Sequence, residues 1–316
     1  MKHVFGPVPS RRLGQSLGID PVPLKTCNWN CVYCQLGRSR PMIQLRREYF
    51  PTDEIIAEVQ EVLAAHQPKE IDWITFVGSG ETTLHNGIGK MIHAVKQMTT
   101  LPVAVITNGS LLYQPEVRQE LAQADAVLPT LDAGTESLFI QINRPHPEFT
   151  FQRHIEGLQA FRREYGGKLW VEVMLVGGVN DTEEALRQIA TTLEEIHPDE
   201  VHILQPERPP VETWVRPADA EGLLRARAIL GGIAKVIHPA KGIFDLSGSE
   251  NLVDAIVGII TRHPMLETDL METLAHFSTD EVVSTLQMLR ESGKAQVVTR
   301  HGVKFWSASS AYYPEK

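Results

Sequence analysis

Apolar residues between positions 50 and 240 recur in two alternating patterns. In segment 52–65 they are spaced three or four residues apart, which predicts an amphipathic helix. Segment 72–77 is instead a short, bulky apolar run that ends at glycines, which predicts a buried strand. The same alternation predicts helices at 85–99, 115–124, 149–165, 181–197 and 217–230, and strands at 102–107, 126–131, 169–176 and 201–205. Since strand–helix–strand crossovers are right-handed, we expect an α/β fold whose parallel sheet curls into a full or partial barrel.

The alternation stops after Gly242, and helical periodicity follows. Three helices are predicted at 251–262, 267–276 and 278–291, and a hairpin at 295–306. This order is typical of a winged-helix domain, so we predict a barrel domain in residues 1–245 and a winged-helix-like domain in 246–316. The third helix begins with acidic residues, and only Arg300, His301 and Lys304 in the wing favour nucleic acid. Protein docking or a structural cap is therefore the favoured role of this domain.

Polar residues follow the carboxyl ends of five predicted strands, where parallel barrels bind their ligands. Glycines there let a ligand approach the backbone, and carboxylates and amides can hydrogen-bond its polar groups. Any one of these segments is equally well explained as a turn or a helix cap, but five at successive strands are harder to explain in that way. The segments are 78–83, 107–109, 132–134, 177–180 and 205–206.

Composition places the chain of 316 residues among globular proteins, with 42% hydrophobic and 22% charged residues. No run of 18 apolar residues occurs and the start lacks an apolar signal segment, so we expect a cytoplasmic protein without membrane association. The net charge of −9 argues against wholesale binding to nucleic acid. Residues 1–50 nevertheless hold eight Lys or Arg and two acidic residues, which either face an anionic ligand or form a solvated surface.

All three cysteines lie within eight residues, as Cys27, Cys31 and Cys34 in the pattern C-x3-C-x2-C. Their odd number argues against a disulfide framework and for a reducing compartment. Three thiolates on one short loop can converge on a metal centre, and iron–sulfur clusters use such loops. A complete 4Fe-4S site takes four cysteines, so here one iron keeps an open position for another ligand. A zinc site completed by a histidine such as His3 is the alternative.

The stretch KTCNWNCVYC resembles the cluster signature of the radical S-adenosylmethionine (radical SAM) superfamily, and the resemblance covers roughly residues 10–240. Segment 78–81 resembles the superfamily's glycine–glutamate motif. The opening segment and the Asn-Arg-Pro-His sequence at 143–146 are similar to a bacterial and archaeal group related to wyosine-type tRNA-modifying radical SAM proteins. Those enzymes carry extra cysteines for a second cluster. This chain has none, so a mechanism that needs an auxiliary cluster is excluded.

The resemblance implies a partial (β/α)6-type parallel barrel with a cluster loop at 22–41 and a 4Fe-4S cluster held by the three cysteines. It implies that S-adenosylmethionine (SAM) binds the open iron and is cleaved to a 5′-deoxyadenosyl radical, which abstracts hydrogen from a substrate. The positions that match SAM contacts fall into three sets: an adenine contact at Tyr33, amino-group contacts at Gly78, Gly80 and Glu81, and later strand positions at Asn108, Asp132, Glu172 and Asn180. For Glu172, an inward structural carboxylate is the alternative.

The expected partners are an electron donor such as flavodoxin or ferredoxin and a substrate whose class stays open. RNA or tRNA, a peptide or protein bound through the winged helix, and a small molecule are the candidates. Two other functions remain alternatives. One is an iron–sulfur redox sensor in which the winged helix regulates transcription without SAM turnover, and the other is a zinc-bound scaffold.

Overall fold

The fold is described from a computed structural model that covers residues 3–67, 69–238 and 251–314. The predicted domain boundary at 245/246 lies outside these described residues. Within them, eight strands form one sheet in chain order, and three further strands form a second sheet.

The large sheet is parallel from its second strand to its eighth, and only its first two strands pair in antiparallel fashion. Its strands are β1 (Val4–Ser10), β2 (Gly14–Ile19), β3 (Trp73–Phe76), β4 (Val103–Thr107), β5 (Ala126–Pro129), β6 (Lys168–Met174), β7 (Glu200–Leu204) and β8 (Ala234–Val236). The helices between them are α1 (Thr52–Ala65), α2 (Ile88–Met98), α3 (Pro115–Leu121), α4 (Glu136–Ile142), α5 (Phe151–Glu164), α6 (Glu183–Ile196) and α7 (Ala220–Leu230).

The predicted α/β architecture is confirmed, because each of the strands β2 to β7 is followed by at least one helix before the next strand begins. Every helix and strand predicted between positions 50 and 240 is present, with ends shifted by a few residues. The sequence patterns missed β1, β2, β8 and the short helix α4. The strand β2 has the sequence GQSLGI, whose glycines and polar residues hide its strand character.

The two faces of the sheet differ in polarity. Alternate residues such as Leu17, Ile74 and Val171 belong to the main hydrophobic core together with the helices. Their neighbours along the strands therefore face the concave side of the sheet, which we call the lumen. Part of the lumen is apolar, with a small cluster that includes Leu13 and Leu128. The rest is polar, and its side chains include Ser16, Thr75, Glu172 and His202.

The two edges of the sheet curve towards each other around the lumen. At the turn between β1 and β2, Arg12 Nη2 lies 2.9 Å from a carboxylate oxygen of Glu172 on β6. Its neighbour Arg11 contacts Glu207, just after β7, also at 2.9 Å. Contacts between the first turn and the sixth and seventh strands require a strongly curved sheet, as in a partial barrel.

The C-terminal residues form a separate packed unit. Its elements are α8 (Leu252–Arg262), β9 (Met265–Leu266), α9 (Glu267–Thr273), α10 (Thr279–Glu291), β10 (Ala295–Arg300) and β11 (Val303–Ala308). The strands pair antiparallel in the order β10-β11-β9, and the helices pack on them around their own apolar core. The three predicted helices and the hairpin are therefore present. None of the helices in the described part of the chain has the length and apolar character that a bilayer crossing requires.

Candidate functional site

The cysteine loop is held by backbone hydrogen bonds to the segment that follows α4. Val32 N donates to Ile142 O at 2.9 Å, and His146 N donates to Asn28 O at 2.8 Å. Within the loop, Cys34 N donates to Cys31 O at 3.0 Å. The Asn-Arg-Pro-His segment noted in the sequence therefore serves as a backbone template for the loop.

Each cysteine sulfur has a nitrogen donor nearby. Lys25 Nζ lies 3.1 Å from Cys34 Sγ, Asn108 Nδ2 lies 3.8 Å from Cys27 Sγ, and Asn143 Nδ2 lies 3.7 Å from Cys31 Sγ. Nitrogen donors aimed at sulfur stabilise the thiolate form, which is the form that binds metal. The loop therefore supplies three soft ligands together with the donors that stabilise their charge.

Burial opposes ionisation of these thiols as long as no metal binds them. It raises the pKa of Cys27 to about 11, against the opposing charge of Lys25. It also raises the pKa of Cys31 well above its usual range, helped by the negative charge of Asp132. A metal centre that binds here must therefore displace protons and provide positive charge of its own.

The donor set of the loop suits an iron–sulfur cluster, because thiols are the soft ligands that such clusters use. No group of three Cys, His, Asp or Glu side chains among residues 3–67, 69–238 and 251–314 is placed to hold one metal ion. In a 4Fe-4S cluster each thiolate binds a different iron, so the sulfurs surround the cluster rather than meet at one point. Apolar Trp29, Ala133 and Phe139 pack against Cys27 and Cys31, which gives the dry surroundings that tune such clusters.

His3, the histidine considered as a fourth zinc ligand, has other neighbours. Its ring centroid lies 4.4 Å from that of Phe50, and its Nε2 lies 3.8 Å from Glu54 Oε1.

Asn108 joins the end of β4 to the cysteine loop. Its Nδ2 donates to Asn28 Oδ1 at 2.8 Å, and Asn28 Nδ2 donates to Ser110 Oγ at 2.7 Å. Asn28 and Ser110 are both buried, so this chain of hydrogen bonds has little competition from water. The structure thus brings one of the predicted SAM contacts, Asn108, next to the predicted ligand Cys27.

Glu81 ties the end of β3 to the end of β4. Its carboxylate accepts hydrogen bonds from Asn108 N at 2.6 Å, Thr107 Oγ1 at 2.6 Å and Thr83 N at 3.0 Å, and from the Thr83 hydroxyl. Burial raises the pKa of this carboxyl, and the hydrogen bonds from Thr107 and Thr83 oppose the rise. The side chain is 2% exposed and therefore positions Asn108 from inside the protein.

The two glycines before Glu81 are required by close packing. A Cβ atom on Gly78 would lie 2.0 Å from Asp20 Oδ1, and one on Gly80 would lie 2.0 Å from Thr26 O. Both distances are far below van der Waals contact, so a side chain at either position would displace Asp20 or the cysteine loop. Their assignment as SAM contacts stays a prediction.

Asp132, at the end of β5, connects the cysteine loop to β6. Its Oδ2 accepts hydrogen bonds from Tyr33 at 2.5 Å and from Asn143 at 2.6 Å, while its Oδ1 accepts from Met174 N at 2.8 Å. Burial raises the pKa of Asp132 to about 6 against these hydrogen bonds. Burial and the Asp132 charge also raise the pKa of Tyr33. Asp132, Tyr33 and Asn143 therefore form one buried network beside Cys31.

The remaining two predicted contacts have other partners. The buried Asn180 bonds only to backbone: its Oδ1 accepts from Val176 N at 2.7 Å, and its Nδ2 donates to the carbonyls of Asp132 and Met174 at 2.9 Å each. Glu172 lies in the lumen and pairs with Arg12. The structure thus brings Tyr33, Asn108 and Asp132 to the cysteine loop, whereas Glu172 contacts the first turn of the chain.

Sequence reasoning missed several residues of this site. Asn143 was noted only as part of a motif, and Lys25 only as one of several basic residues. Asp20 was not singled out at all, although it accepts hydrogen bonds from Ser79 N at 3.0 Å and Ser79 Oγ at 2.7 Å and pairs with Arg262 at 3.0 Å. No local pattern marks Asp20, because its partners come from β3 and from the C-terminal unit.

Comparison with known proteins defines the class. The family model for the Radical SAM superfamily matches residues 22–193, which include the cysteine loop and the strands β3 to β6. The chain belongs to the radical SAM superfamily. It is 36% identical over 279 residues to the UPF0026 protein of Methanocaldococcus jannaschii, and the match covers 87% of this chain and 86% of that protein. The predicted superfamily, the bacterial and archaeal group and the expectation of an enzyme are thereby confirmed.

Two further similarities differ in extent. A protein named GTPase Obg from Brachyspira hyodysenteriae is 39% identical over 312 residues, and the match covers 96% of this chain but 44% of that protein. This chain therefore spans less than half the length of that relative. The crystal structure of a radical SAM methyltransferase from Sphaerobacter thermophilus has a TM-score of 0.52 at 17% identity, covering 70% of this chain and 66% of the other. That likeness shows a shared fold.

Proposed function

We propose that Cys27, Cys31 and Cys34 hold a single 4Fe-4S cluster whose open iron binds SAM. When bound, the cluster and SAM supply reductive cleavage to a 5′-deoxyadenosyl radical that abstracts hydrogen from a substrate. The observation that carries this proposal is the set of three cysteines on one loop, each with a nitrogen donor within 4 Å of its sulfur. Membership of the superfamily supports it.

The chain's own residues hold and shape this site. Lys25 contributes positive charge beside Cys34, and the amides of Asn108 and Asn143 donate towards the other two sulfurs. These three donors lower the cost of placing thiolates in a buried position. Asp132 in turn fixes the orientation of Asn143, because it accepts the hydrogen bond of the same amide nitrogen.

We propose that SAM is bound by residues among the contacts predicted from the sequence, beginning with those that lie nearest the cysteine loop. Tyr33 lies on the cysteine loop, Asn108 contacts it and Gly80 packs against it at Thr26, whereas Gly78 packs against Asp20 just before the loop. The carboxylates of Glu81 and Asp132 act by positioning their neighbours, since their oxygens already accept protein hydrogen bonds. Val32, Ile142, Val176 and Val215 form an apolar cluster against Tyr33, which helps to keep water from a radical formed nearby.

We propose further that residues 251–314 are a winged-helix domain that caps the barrel. The order of α8, β9, α9, α10 and the β10–β11 hairpin supports this class. Two of the three basic wing residues contact the barrel domain: Arg300 donates to Pro210 O at 2.7 Å, and His301 Nε2 lies 2.7 Å from Val215 O, while Lys304 is exposed. Because the wing contacts the barrel domain, a capping role of residues 251–314 is favoured over nucleic-acid binding.

The domain also contacts the cluster loop. Arg38 N donates to Tyr312 O at 2.9 Å, and the Tyr313 hydroxyl donates to Gln35 O. These contacts favour an enzyme in which the cap steadies the loop, rather than a redox-sensing regulator whose winged helix is free to bind DNA. We propose a cytoplasmic setting, where the cysteines stay reduced and a flavodoxin- or ferredoxin-type donor supplies electrons.

The test is anaerobic reconstitution with iron and sulfide, followed by addition of SAM and dithionite and measurement of 5′-deoxyadenosine. The wild-type protein is expected to turn brown and to form this product, and Cys31→Ala is expected to lose both. Gln141→Ala, at an exposed position on α4, is the matched control and should behave like wild type. Product formation by Cys31→Ala would contradict the ligand assignment, and a colourless wild type without product would refute the proposal.

A further inference from the structure

Three arginines meet at the open side of the barrel. Arg11 and Arg12 lie on the turn between β1 and β2, and Arg208 lies four residues after β7. Burial is the main cause that lowers the pKa of Arg11 and of Arg208; the charge of Arg12 lowers that of Arg11 further, and the charge of Arg11 lowers that of Arg208 further. Part of the positive charge of residues 1–50 therefore faces the lumen of the barrel, where Arg12 pairs with Glu172.

The carboxylates present do not serve all three guanidinium groups. Arg11 pairs with Glu207 and Arg12 pairs with Glu172, each at 2.9 Å. Arg208 forms no ion pair with any Asp or Glu that the structure describes. Its side chain lies 3.3 Å from Gln35 Oε1 and 2.7 Å from His263 Nδ1.

The surroundings of Arg208 leave room for a direct anionic partner. The residue is partly buried and contacts Gln35 on the cysteine loop and His263 just after α8. Burial is the main reason why the pKa of Arg208 falls to about 10, and the more distant charges of Glu207 and Asp269 oppose the fall. A partly buried cation without a direct carboxylate partner gains stability when an anion binds beside it.

Two polar atoms nearby also lack partners within the described residues. Arg12 Nε is buried and makes no hydrogen bond. His202 is 3% exposed, and its Nδ1 has no partner although its Nε2 lies 3.0 Å from Glu200. His202 is paired in register with Glu172 on the neighbouring strand, so both side chains face the lumen. Buried atoms of this kind are rare in folded proteins and point to a missing ligand or water.

The group lies next to the cysteine loop. Gln35, which contacts Arg208, directly follows Cys34, and its Nε2 donates to Arg262 O at 3.0 Å. A molecule held by Arg208 would therefore lie beside the proposed cluster, with the lumen in front of it.

We propose that Arg208, with Arg11 and Arg12, binds an anionic group of a small-molecule substrate, either a carboxylate or a phosphate. The inference rests on the proposed function and adds the chemical class of its substrate. A guanidinium group binds both anions with paired hydrogen bonds, and the anion supplies the direct ion pair that Arg208 does not make with the described carboxylates. The C-terminal unit covers Arg208 through His263, which favours a small molecule over a nucleic-acid strand.

The test measures anion binding to the reconstituted full-length protein in the presence of saturating SAM, so that the SAM carboxylate is already accounted for. Inorganic phosphate, pyrophosphate and succinate are titrated separately by calorimetry, and the thermal unfolding midpoint is recorded with each. We expect at least one anion to bind and to raise the midpoint, and the preferred anion distinguishes a phosphate from a carboxylate site.

Variants of Arg208 test whether its charge and its paired hydrogen bonds bind the anion. Arg208→Gln should weaken binding of that anion by about tenfold or more, the loss expected for one charge-assisted hydrogen bond. Arg208→Lys keeps the charge but loses the paired hydrogen bonds, so it should bind more weakly than wild type and more tightly than Arg208→Gln. Arg187→Gln, at an exposed arginine on α6, should bind like wild type.

Several results would overturn the inference: unchanged affinity in Arg208→Gln, binding of none of the three anions, or binding of tRNA alone. Formation of 5′-deoxyadenosine by the wild type, measured in the same preparations, tests the proposed function separately. If product forms but no anion binds, only the anion site is refuted. If anions bind as expected but no product forms, only the radical chemistry is refuted.

Discussion

The substitution Glu81→Gln tests whether this carboxylate positions the site from within. One oxygen accepts from Asn108 N at 2.6 Å, and the other accepts from Thr83 N at 3.0 Å and from Thr107 Oγ1 at 2.6 Å. Glutamine has one oxygen and one NH2 group. Whichever way the amide is turned, its NH2 group faces a backbone N–H, so one buried donor loses its acceptor.

The magnitude follows from this geometry. A buried N–H without an acceptor costs about 1–3 kcal/mol, and replacing charge-assisted hydrogen bonds by neutral ones costs about 1 kcal/mol more. We therefore expect Glu81→Gln to lower the free energy of unfolding by about 2–4 kcal/mol. Because Asn108 also holds Asn28, the variant should release iron faster than wild type.

The assay is urea denaturation of the iron-free protein, so that loss of the cluster does not contribute to the measured stability. Glu61→Gln, at an exposed glutamate on α1, is the control and should change the free energy of unfolding by less than about 0.5 kcal/mol. If Glu81→Gln is as stable as wild type but binds SAM more weakly, the carboxylate contacts SAM directly and the positioning role is wrong.

Three further predictions concern the network around the cysteine loop. Burial raises the pKa of Asp132 to about 6, so the protonated carboxyl stabilises the folded state, and this stabilisation is lost as pH rises from about 4 through 6. Relative to Asp132→Asn, the free energy of unfolding of the wild type should therefore fall by about 3 kcal/mol over that range in urea titrations. A difference that stays constant with pH would contradict the raised pKa. Asn143→Ala removes the amide nitrogen that lies 3.7 Å from Cys31 Sγ. The reduction potential of the cluster, measured in a redox titration followed by EPR, should become more negative. An unchanged or higher potential would argue against this hydrogen bond. Trp29→Ala removes an indole that is 1% exposed and packs edge-on against Phe139, and so leaves a cavity. The variant should lower the free energy of unfolding by about 3–5 kcal/mol in thermal or urea unfolding. A loss below about 1 kcal/mol would show that the loop packs differently.

The part of the fold that could be predicted is the part whose strands are buried on both faces. Segments such as 103–107 and 126–129 are nearly continuous apolar runs between amphipathic helices, and their type follows from local pattern. The strand β2 escaped prediction because Ser16 and Gly18 face the polar lumen, so its extended form depends on pairing with β3. The helix α4 has apolar residues at four of its last five positions (LFIQI), so its sequence shows no single apolar face of helical spacing.

The same contrast holds for the site. The cysteines could be recognised because three ligands of one centre are close in sequence. Asn143 and Asp132 come together with Tyr33 only through the fold, across about a hundred residues of chain. The partner of Asp20 is still more distant, since Arg262 belongs to the C-terminal unit. Local spacing therefore indicated the metal ligands, but not the hydrogen bonds that orient them.

The proposed function depends most directly on whether SAM binds an iron that the protein leaves open. EPR spectra of the reduced, reconstituted protein, recorded with and without SAM, test this point. We predict about four irons per chain and a spectrum that changes when SAM is added, because a new ligand then binds one of the irons. A spectrum that is identical with and without SAM, or a protein that retains zinc in place of iron, would contradict the proposed function.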